Sequence, residues 1–346
     1  MSLKTDSRAN GAVDTGRWLR VCSYEDRAIG MDGLILMGES LCSVDKAVSL
    51  HLTVPDAPAY VRKWAASRPE VELSTERLPE LSGWNIKPSL LLRELDAGWE
   101  APLWLDSDMI VSQPISKVVQ RYSREALLLA EEWTDAPPLA IAEGWGLKSK
   151  RPISVVNNCF VRVTQAHRPM MERWREMLHD SRYRAAQALP YDKRPKHFLH
   201  DGWPLIALLE CEEFGDVEYD FIRRNGEIAQ CAGSSGYRPL HRIIDVFRGL
   251  PALIHGLGRK PWEPAVGGGA QRLLLDLATD VSPYVLASRK VAKKLDMHAS
   301  WMEARTLLGK VLRGVTGGHP GMAGLPLAVL HSVEMRVKKM RGIEEK

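Results

Sequence analysis

The segment Pro102–Val111 reads Pro-Leu-Trp-Leu-Asp-Ser-Asp-Met-Ile-Val and runs an apolar strand into two carboxylates one residue apart. In an extended backbone, residues two apart share a face, so Asp106 and Asp108 can present oxygens to one Mn²⁺ or Mg²⁺ that carries a substrate's phosphates. A solvated turn after a strand would use the same residues. Position favours the cation, because ligand sites in α/β sheets lie at the carboxyl ends of strands. A second segment, Leu253–Trp262, reads Leu-Ile-His-Gly-Leu-Gly-Arg-Lys-Pro-Trp. A neutral His255 can join a coordination shell begun by two carboxylates, the glycines at 256 and 258 let backbone N–H groups approach an anion, and Lys260 supplies a point charge for a diphosphate. The bland alternatives are a histidine that satisfies local backbone groups, a surface lysine and, for Trp262, simple packing.

The elements around these segments alternate. Arg20–Ser23 reads as a short strand, about 31–43 as a helix, Ala47–Val54 as a strand, about 58–67 as a helix and Val71–Leu73 as a strand. Pro88–Ala97 has proline in its first turn and Gly98 just past its end, the punctuation of a helix. The strand carrying Asp106 follows. Strands alternating with helices at these spacings indicate an α/β fold, a mostly parallel central sheet with flanking helices, as nucleotide-binding domains use. Further strands are expected at Ala126–Ala130, Ile153–Val163 and Val217–Ile222, with helices at Pro169–His179 and Pro204–Glu210. Residues 1–17 read as a flexible leader, 18–265 as the catalytic domain, and 266–346 as a basic helical C-terminal extension joined through a hinge at Gly267–Gly269. In that extension Tyr284, Ala287, Val291, Leu295 and Met302 recur at helical spacing, and a second helix is expected over 325–340.

The 346 residues, 45% of them hydrophobic, suffice for a large packed domain. No apolar run is long enough to span a bilayer and the first residues carry no signal-peptide core, so the expectation is a cytoplasmic protein. Five cysteines without C-x-x-C spacing suit reduced core positions. The net charge of +4 is too small to point to a nucleic-acid partner. It is unevenly placed: residues 270–346 hold 13 Lys plus Arg against 7 Asp plus Glu, a net +6 that leaves −2 for the rest. The extension's basic helices therefore either cover the catalytic domain, the favoured reading, or contact the inner face of a membrane peripherally, with Trp301 as the one tryptophan to anchor them.

A strand ending in Leu105-Asp106-Ser107-Asp108, with a later His255-Gly256-Leu257-Gly258 followed closely by Lys260-Pro261-Trp262, resembles glycosyltransferases of the A-type nucleotide-sugar transferase fold, particularly glycosyltransferase family 8. The resemblance covers roughly 20–262. It implies that Asp106, Asp108 and His255 bind Mn²⁺ and that Gly258 and Lys260 contact the diphosphate of a nucleotide sugar. It also implies that Tyr24, with Glu25 and Asp26, meets the base and ribose, that Lys87 reaches the nucleotide or sugar, and that Asn157, Asn158 and Asp201 lie near the acceptor. Taken as residues alone, Asp201 also suits a helix cap, the asparagines a turn, and Tyr24 and Lys87 a partly buried amphipathic role. The segment around Lys193, Arg194, Lys196, His197 and His200 suits a solvated loop as well as an anion gate.

Two departures stand out. Only Arg259 separates Gly258 from Lys260 where the family has two residues, and Gly202 follows Asp201 where many members have glutamine, which removes a group proposed there as a nucleophile. The function implied is metal-dependent transfer of a sugar, with retention, from a nucleotide diphosphate, UDP by preference, to a hydroxyl of a glycan, glycolipid or small molecule. The alternatives are a catalytically silent nucleotide-sugar-binding or assembly protein and a sugar nucleotidyltransferase. The latter calls for a glycine-rich loop after the first strand, which Ser23-Tyr24-Glu25-Asp26-Arg27 does not supply.

Overall fold

The computed structural model describes residues 17–78, 83–132, 141–150, 153, 155–264 and 268–340. The predicted leader thus lies almost wholly outside the described residues. The chain begins with β1 (Leu19–Tyr24), α1 (Met31–Val44), β2 (Ser49–Thr53), α2 (Ala59–Ala66), β3 (Val71–Ser74), α3 (Lys87–Asp96) and β4 (Ala101–Leu105). Then follow β5 (Met109–Val111), α4 (Ile115–Val119), β6 (Leu127–Glu131), β7 (Val156–Arg162), α5 (Arg168–His179), α6 (Ser181–Gln187), α7 (Gly202–Glu210), β8 (Tyr219–Ile222), β9 (Ile228–Ala232), α8 (Pro239–Arg248) and β10 (Leu253–Leu257). The C-terminal helices are α9 (Gly269–Asp280), α10 (Pro283–Lys294), α11 (Leu307–Val315) and α12 (Leu325–Met340).

Seven strands form a sheet in the order β3-β2-β1-β4-β7-β6-β8, parallel except where β7 runs against β4 and β6. This is the mostly parallel sheet with flanking helices that the alternation predicts. After β1 the chain moves outward through β2 and β3, then crosses back to β4 on the other side of β1. The gap between the carboxyl ends of β1 and β4 is therefore a topological switch point, where a crevice opens. β1 and β4 are buried along their whole length, as strands covered on both faces must be. Alternate residues serve different layers. Cys22, Trp104 and Val161 join the core under α3, α5 and α7, while Val21, Leu103 and Leu128 join the core under α1 and α2.

Element boundaries differ from the sequence-based expectations at three places. The strand expected over 153–163 begins at Val156, and that over 47–54 at Ser49. Of the glycine triplet, Gly268 and Gly269 cap and start α9, and Gly267 lies outside the described residues. The stripe from Tyr284 to Met302 is two pieces. α10 stops at Lys294, Asp296 adopts the left-handed region at φ 52°, and the chain re-forms a single turn at Ser300–Met302.

α10 packs on α1, β5 and β10, and Trp301 is buried with its indole N–H donating to Asp32 Oδ2 at 3.1 Å. This helix covers the domain, and Trp301 is no membrane anchor. All five cysteines are buried and free. Among the described residues no helix is long and apolar enough to cross a membrane.

Candidate active site

β4 ends at Leu105, and Asp106 is the first residue beyond the sheet. The chain turns at Ser107 and Asp108 and leaves in β5, which pairs antiparallel with β10 so that Met109 faces His255. Gly256 N–H then donates to the carbonyl of Asp108 at 3.0 Å. This short second sheet (β5-β10-β9) is the device that fastens the distant histidine to the acidic turn. Ligand atoms of Asp106, Asp108 and His255 lie within 4.8 Å of one another.

His255 Nε2 is 3.2 Å from Asp108 Oδ1, yet that oxygen and His255 Nδ1 have no hydrogen-bond partner, so the contact is close without hydrogen-bond alignment. An unpaired buried oxygen of Asp108, with an imidazole nitrogen of His255 and a carboxylate oxygen of Asp106 gathered beside it, fits a divalent cation. Burial raises the Asp108 carboxyl's pKa, but Lys260 and His255 outweigh it and hold it well below the usual carboxylate range. For His255, burial favours the neutral ring, while the Cys159 thiol and the Asp108 carboxylate raise its pKa above the ordinary value.

Two lysines flank the carboxylates. Lys260 Nζ lies 2.6 Å from Asp108 Oδ2 and also donates to the carbonyl of Gly256. The shortened loop still delivers it, because Gly258 takes a left-handed φ of 68° that lets the chain turn back within two residues. The Lys260 N–H is held by Glu263 Oε2 at 2.9 Å. On the opposite side Lys87, at the start of α3, places Nζ 3.1 Å from Asp106 Oδ1 and 3.2 Å from Asp201 Oδ2, and it donates to the Asn158 carbonyl at 3.2 Å. Its ammonium also lies 5.4 Å from the centre of the Trp104 ring, whose N–H donates to Asp106 Oδ1 at 2.6 Å. Burial alone would discharge Lys87; Asp106 and Asp201 outweigh it and keep it protonated.

A cleft of about 250 Å³ opens over this cluster, and Tyr24, Lys87, Asp106, Asp108, Gly258 and Lys260 are on its wall. At its far end Asp26 Oδ2 accepts from the Tyr24 hydroxyl at 3.3 Å and from Gly83 N–H at 3.0 Å. Burial and then Asp26 push the Tyr24 phenol up to about 12, so it stays a donor. Glu25, fully buried, is gripped by both Arg27 and Ser107 Oγ, and this ties the end of β1 to the acidic turn across the switch point. A larger concavity of about 530 Å³, beside Trp145 and the helices α5 and α6, shares no wall residue with the cleft.

Of the other predicted residues, His255 forms the buried floor, and Asn158 and Asp201 stand behind Lys87, off the cleft wall. Asp201 precedes α7 but its side chain makes no capping bond; it accepts from Asn158 Nδ2 at 2.5 Å and pairs with Lys87. Asn157 points from the opposite face of β7, toward Gln230 Oε1 at 3.1 Å. Sequence reasoning missed Arg27, Ser107, Trp84 and Glu263 on the wall. Ser107, between the two aspartates, Arg27, next to Asp26, and Glu263, close after Lys260, carried a signal in the sequence; Trp84 becomes a neighbour only through the fold. The basic segment at 193–200 is tied down, with Arg194 bonded to Gln187 and to the carbonyls of Leu189 and Leu199. Trp262 packs on Trp301 and Tyr284.

The chain matches no protein-family model and no curated protein in sequence. In structure it is similar to the glycosyltransferase GlyE of Streptococcus pneumoniae TIGR4, at 12% identity and a TM-score of 0.44 over 83% of this chain and 65% of that one. It is also similar to the galactosyltransferase LgtC in complex with donor and acceptor sugar analogues, at 13% identity and 0.48 over 81% and 98% of the two chains. Mouse xyloside xylosyltransferase 1 is a third, at 13% identity and 0.43 over 69% and 97%. This chain spans 65% and 64% of the two GlyE chains, less than two thirds of their length.

Proposed function

We propose that this chain is a metal-dependent glycosyltransferase that moves a sugar from a nucleoside diphosphate, UDP in the first instance, to a hydroxyl of a glycan, glycolipid or small molecule. The observation that carries this reading is the convergence of Asp106, Asp108 and His255 at the switch point, flanked by Lys87 and Lys260, at the foot of a cleft that reaches Tyr24. Mn²⁺ or Mg²⁺ held by Asp106, Asp108 and His255 supplies Lewis-acid stabilisation of a diphosphate leaving group.

The chain's own residues account for the rest. Tyr24 and Asp26 at the end of β1 offer a donor and an acceptor to a nucleoside, with Trp84 half exposed on the rim. Lys260, on its turn at Gly258, exchanges its contact with Asp108 for the β-phosphate and neutralises charge that grows as the anomeric bond breaks. Lys87 orients Asp106 and Asp201 together. Because Gly202 offers no side chain and Asp201 lies behind Lys87, the transfer proceeds without a covalent intermediate at these positions, and the retaining outcome that the family resemblance implies then requires a same-face transfer. The acceptor hydroxyl attacks from the side the diphosphate leaves and passes its proton to a phosphate oxygen.

Thermal-shift titration with UDP, with and without Mn²⁺, followed by a panel of UDP-, GDP- and dTDP-sugars assayed for Mn²⁺-dependent hydrolysis, tests the reading. Stabilisation by UDP only with Mn²⁺, together with turnover of one donor whose released sugar keeps its anomeric configuration, is expected. Binding without turnover of any donor would point to the silent binding protein. Metal-dependent UDP binding left intact by Asp108→Ala would remove the central assignment.

A further inference from the structure

α8, α9, α11 and α12 form an outer layer. α12 packs on α8 and α11 on α9. The two pairs meet where Gly324 lies against the Val281 carbonyl and Arg242, so close that a Cβ there would stand 2.5 Å from that oxygen. Each helix turns large apolar side chains away from the protein. Leu240 and Phe247 on α8, Leu274 on α9, Leu307 and Val315 on α11 and Leu330 on α12 are 64–85% exposed. They are not scattered singly. Positions 240, 243 and 247 recur on one face of α8, and 307, 308, 311 and 315 on one face of α11. A soluble surface rarely carries so many large apolar groups together unless something docks there.

The charges say what docks. α11 carries Lys310 and Arg313 and no acid, exposed Arg248 ends α8, and exposed Arg336 lies on α12. The acids nearby are engaged: Glu334 pairs with Lys338 at 2.8 Å, and Asp276 with Arg259 and Arg305 at 3.1 Å each. A two-fold dimer through this layer would set a basic rim against its own copy. An anionic lipid surface complements it, since amphipathic helices with Leu, Val and Phe on one face and Lys or Arg beside them lie in the interface plane.

We infer that the layer of α8, α9, α11 and α12 is a peripheral docking surface for anionic membranes. The surface differs from the one suggested by Trp301, which is buried, and includes α8, which lies outside the basic tail. It is joined to the catalytic loop: Arg305 donates to the Pro261 carbonyl at 2.5 Å and Arg259 pairs with Asp276 of α9. The inference does not depend on the transfer reading.

The test is co-sedimentation of the full chain with vesicles of phosphatidylcholine alone and with about one third phosphatidylglycerol, across a salt series. Partition to the anionic vesicles is expected to exceed that to the neutral ones by more than roughly tenfold and to fall as salt rises. Phe247→Asp with Val315→Asp is expected to abolish it. Both side chains are more than 80% exposed, so an unchanged melting temperature is expected to show that the variant folds. Lys310→Glu with Arg313→Glu should lower anionic partition about tenfold or more and leave the neutral vesicles unaffected. Equal or negligible partition to the two vesicles overturns the inference. So does a concentration-dependent dimer, seen by light scattering, that Phe247→Asp dissolves while vesicle binding is absent. Either result leaves Mn²⁺-dependent UDP binding untouched, so failure here is distinguishable from failure of the transferase reading.

Discussion

The two sides of the cleft pair a lysine with an aspartate in the same way, yet they are built differently. On one side Lys87, its side chain 3% exposed, starts a helix and serves Asp106, Asp201 and the Asn158 carbonyl at once. On the other, Lys260, its side chain 16% exposed, stands on a short turn and has Asp108 and one backbone carbonyl. A buried ammonium shared by two carboxylates cannot leave without stranding both charges in a poorly solvated place. One at the mouth of a cleft can exchange partners at small cost. The contrast assigns Lys87 to holding the site's shape and Lys260 to meeting the ligand.

The largest effect should come from breaking the rigid side. Lys87→Met leaves Asp106 and Asp201 without their shared cation, and a loss of about 3–5 kcal/mol of stability is expected, read as a lower denaturation midpoint. UDP-sugar hydrolysis should fall with it. Lys260→Met, by contrast, should leave the midpoint nearly unchanged while lowering kcat by about 10²–10³, because its charge matters chiefly as the leaving group forms. Equal midpoint losses in the two variants would erase the distinction between the sides.

That distinction was only half legible in the sequence. Asp106 and Asp108 stood out because an apolar strand ran into them, and period two put them on one face. The helix carrying Lys87 was marked by Pro88 and Gly98, and the structure gives Gly98 a φ of 85°. Nothing local, however, says that Lys87 meets Asp201, since α3 and α7 become neighbours of one site only through the order of β4 and β7 in the sheet. The asparagines illustrate the same limit. Both were expected near the acceptor, yet neighbours on a strand face opposite ways, and which face holds Lys87 depends on packing. β5, a three-residue strand, is too short for any periodicity, although it is the element that positions His255. The end of α10 was hidden too, because a left-handed Asp296 carries no mark in an otherwise helical stripe.

The asparagines give a smaller test. Asn158→Ala withdraws a donor from buried Asp201, and a cost of about 1–3 kcal/mol is expected. Asn157 is only partly buried, and Asn157→Ala should cost less than half of that. Equal costs would mean that the two faces of β7 are not divided between the rigid side and the small sheet.

The narrowest test concerns the turn that carries Lys260. Gly258 sits at φ 68° with no atom within 4 Å of where a Cβ would be, so an added methyl group meets no clash and its whole cost is conformational. Gly258→Ala is therefore expected to cost about 1–2 kcal/mol in the turn that presents Lys260. Because Asp108 and His255 are held by the β5 and β10 pairing and not by this turn, binding of free Mn²⁺ should be unchanged while KM for the donor rises. Inserting one residue after Gly258 relaxes the turn and should move KM in the same direction without changing the denaturation midpoint. If either change weakened Mn²⁺ binding as much as donor binding, Lys260 would be part of the metal's support and the two sides would be built alike.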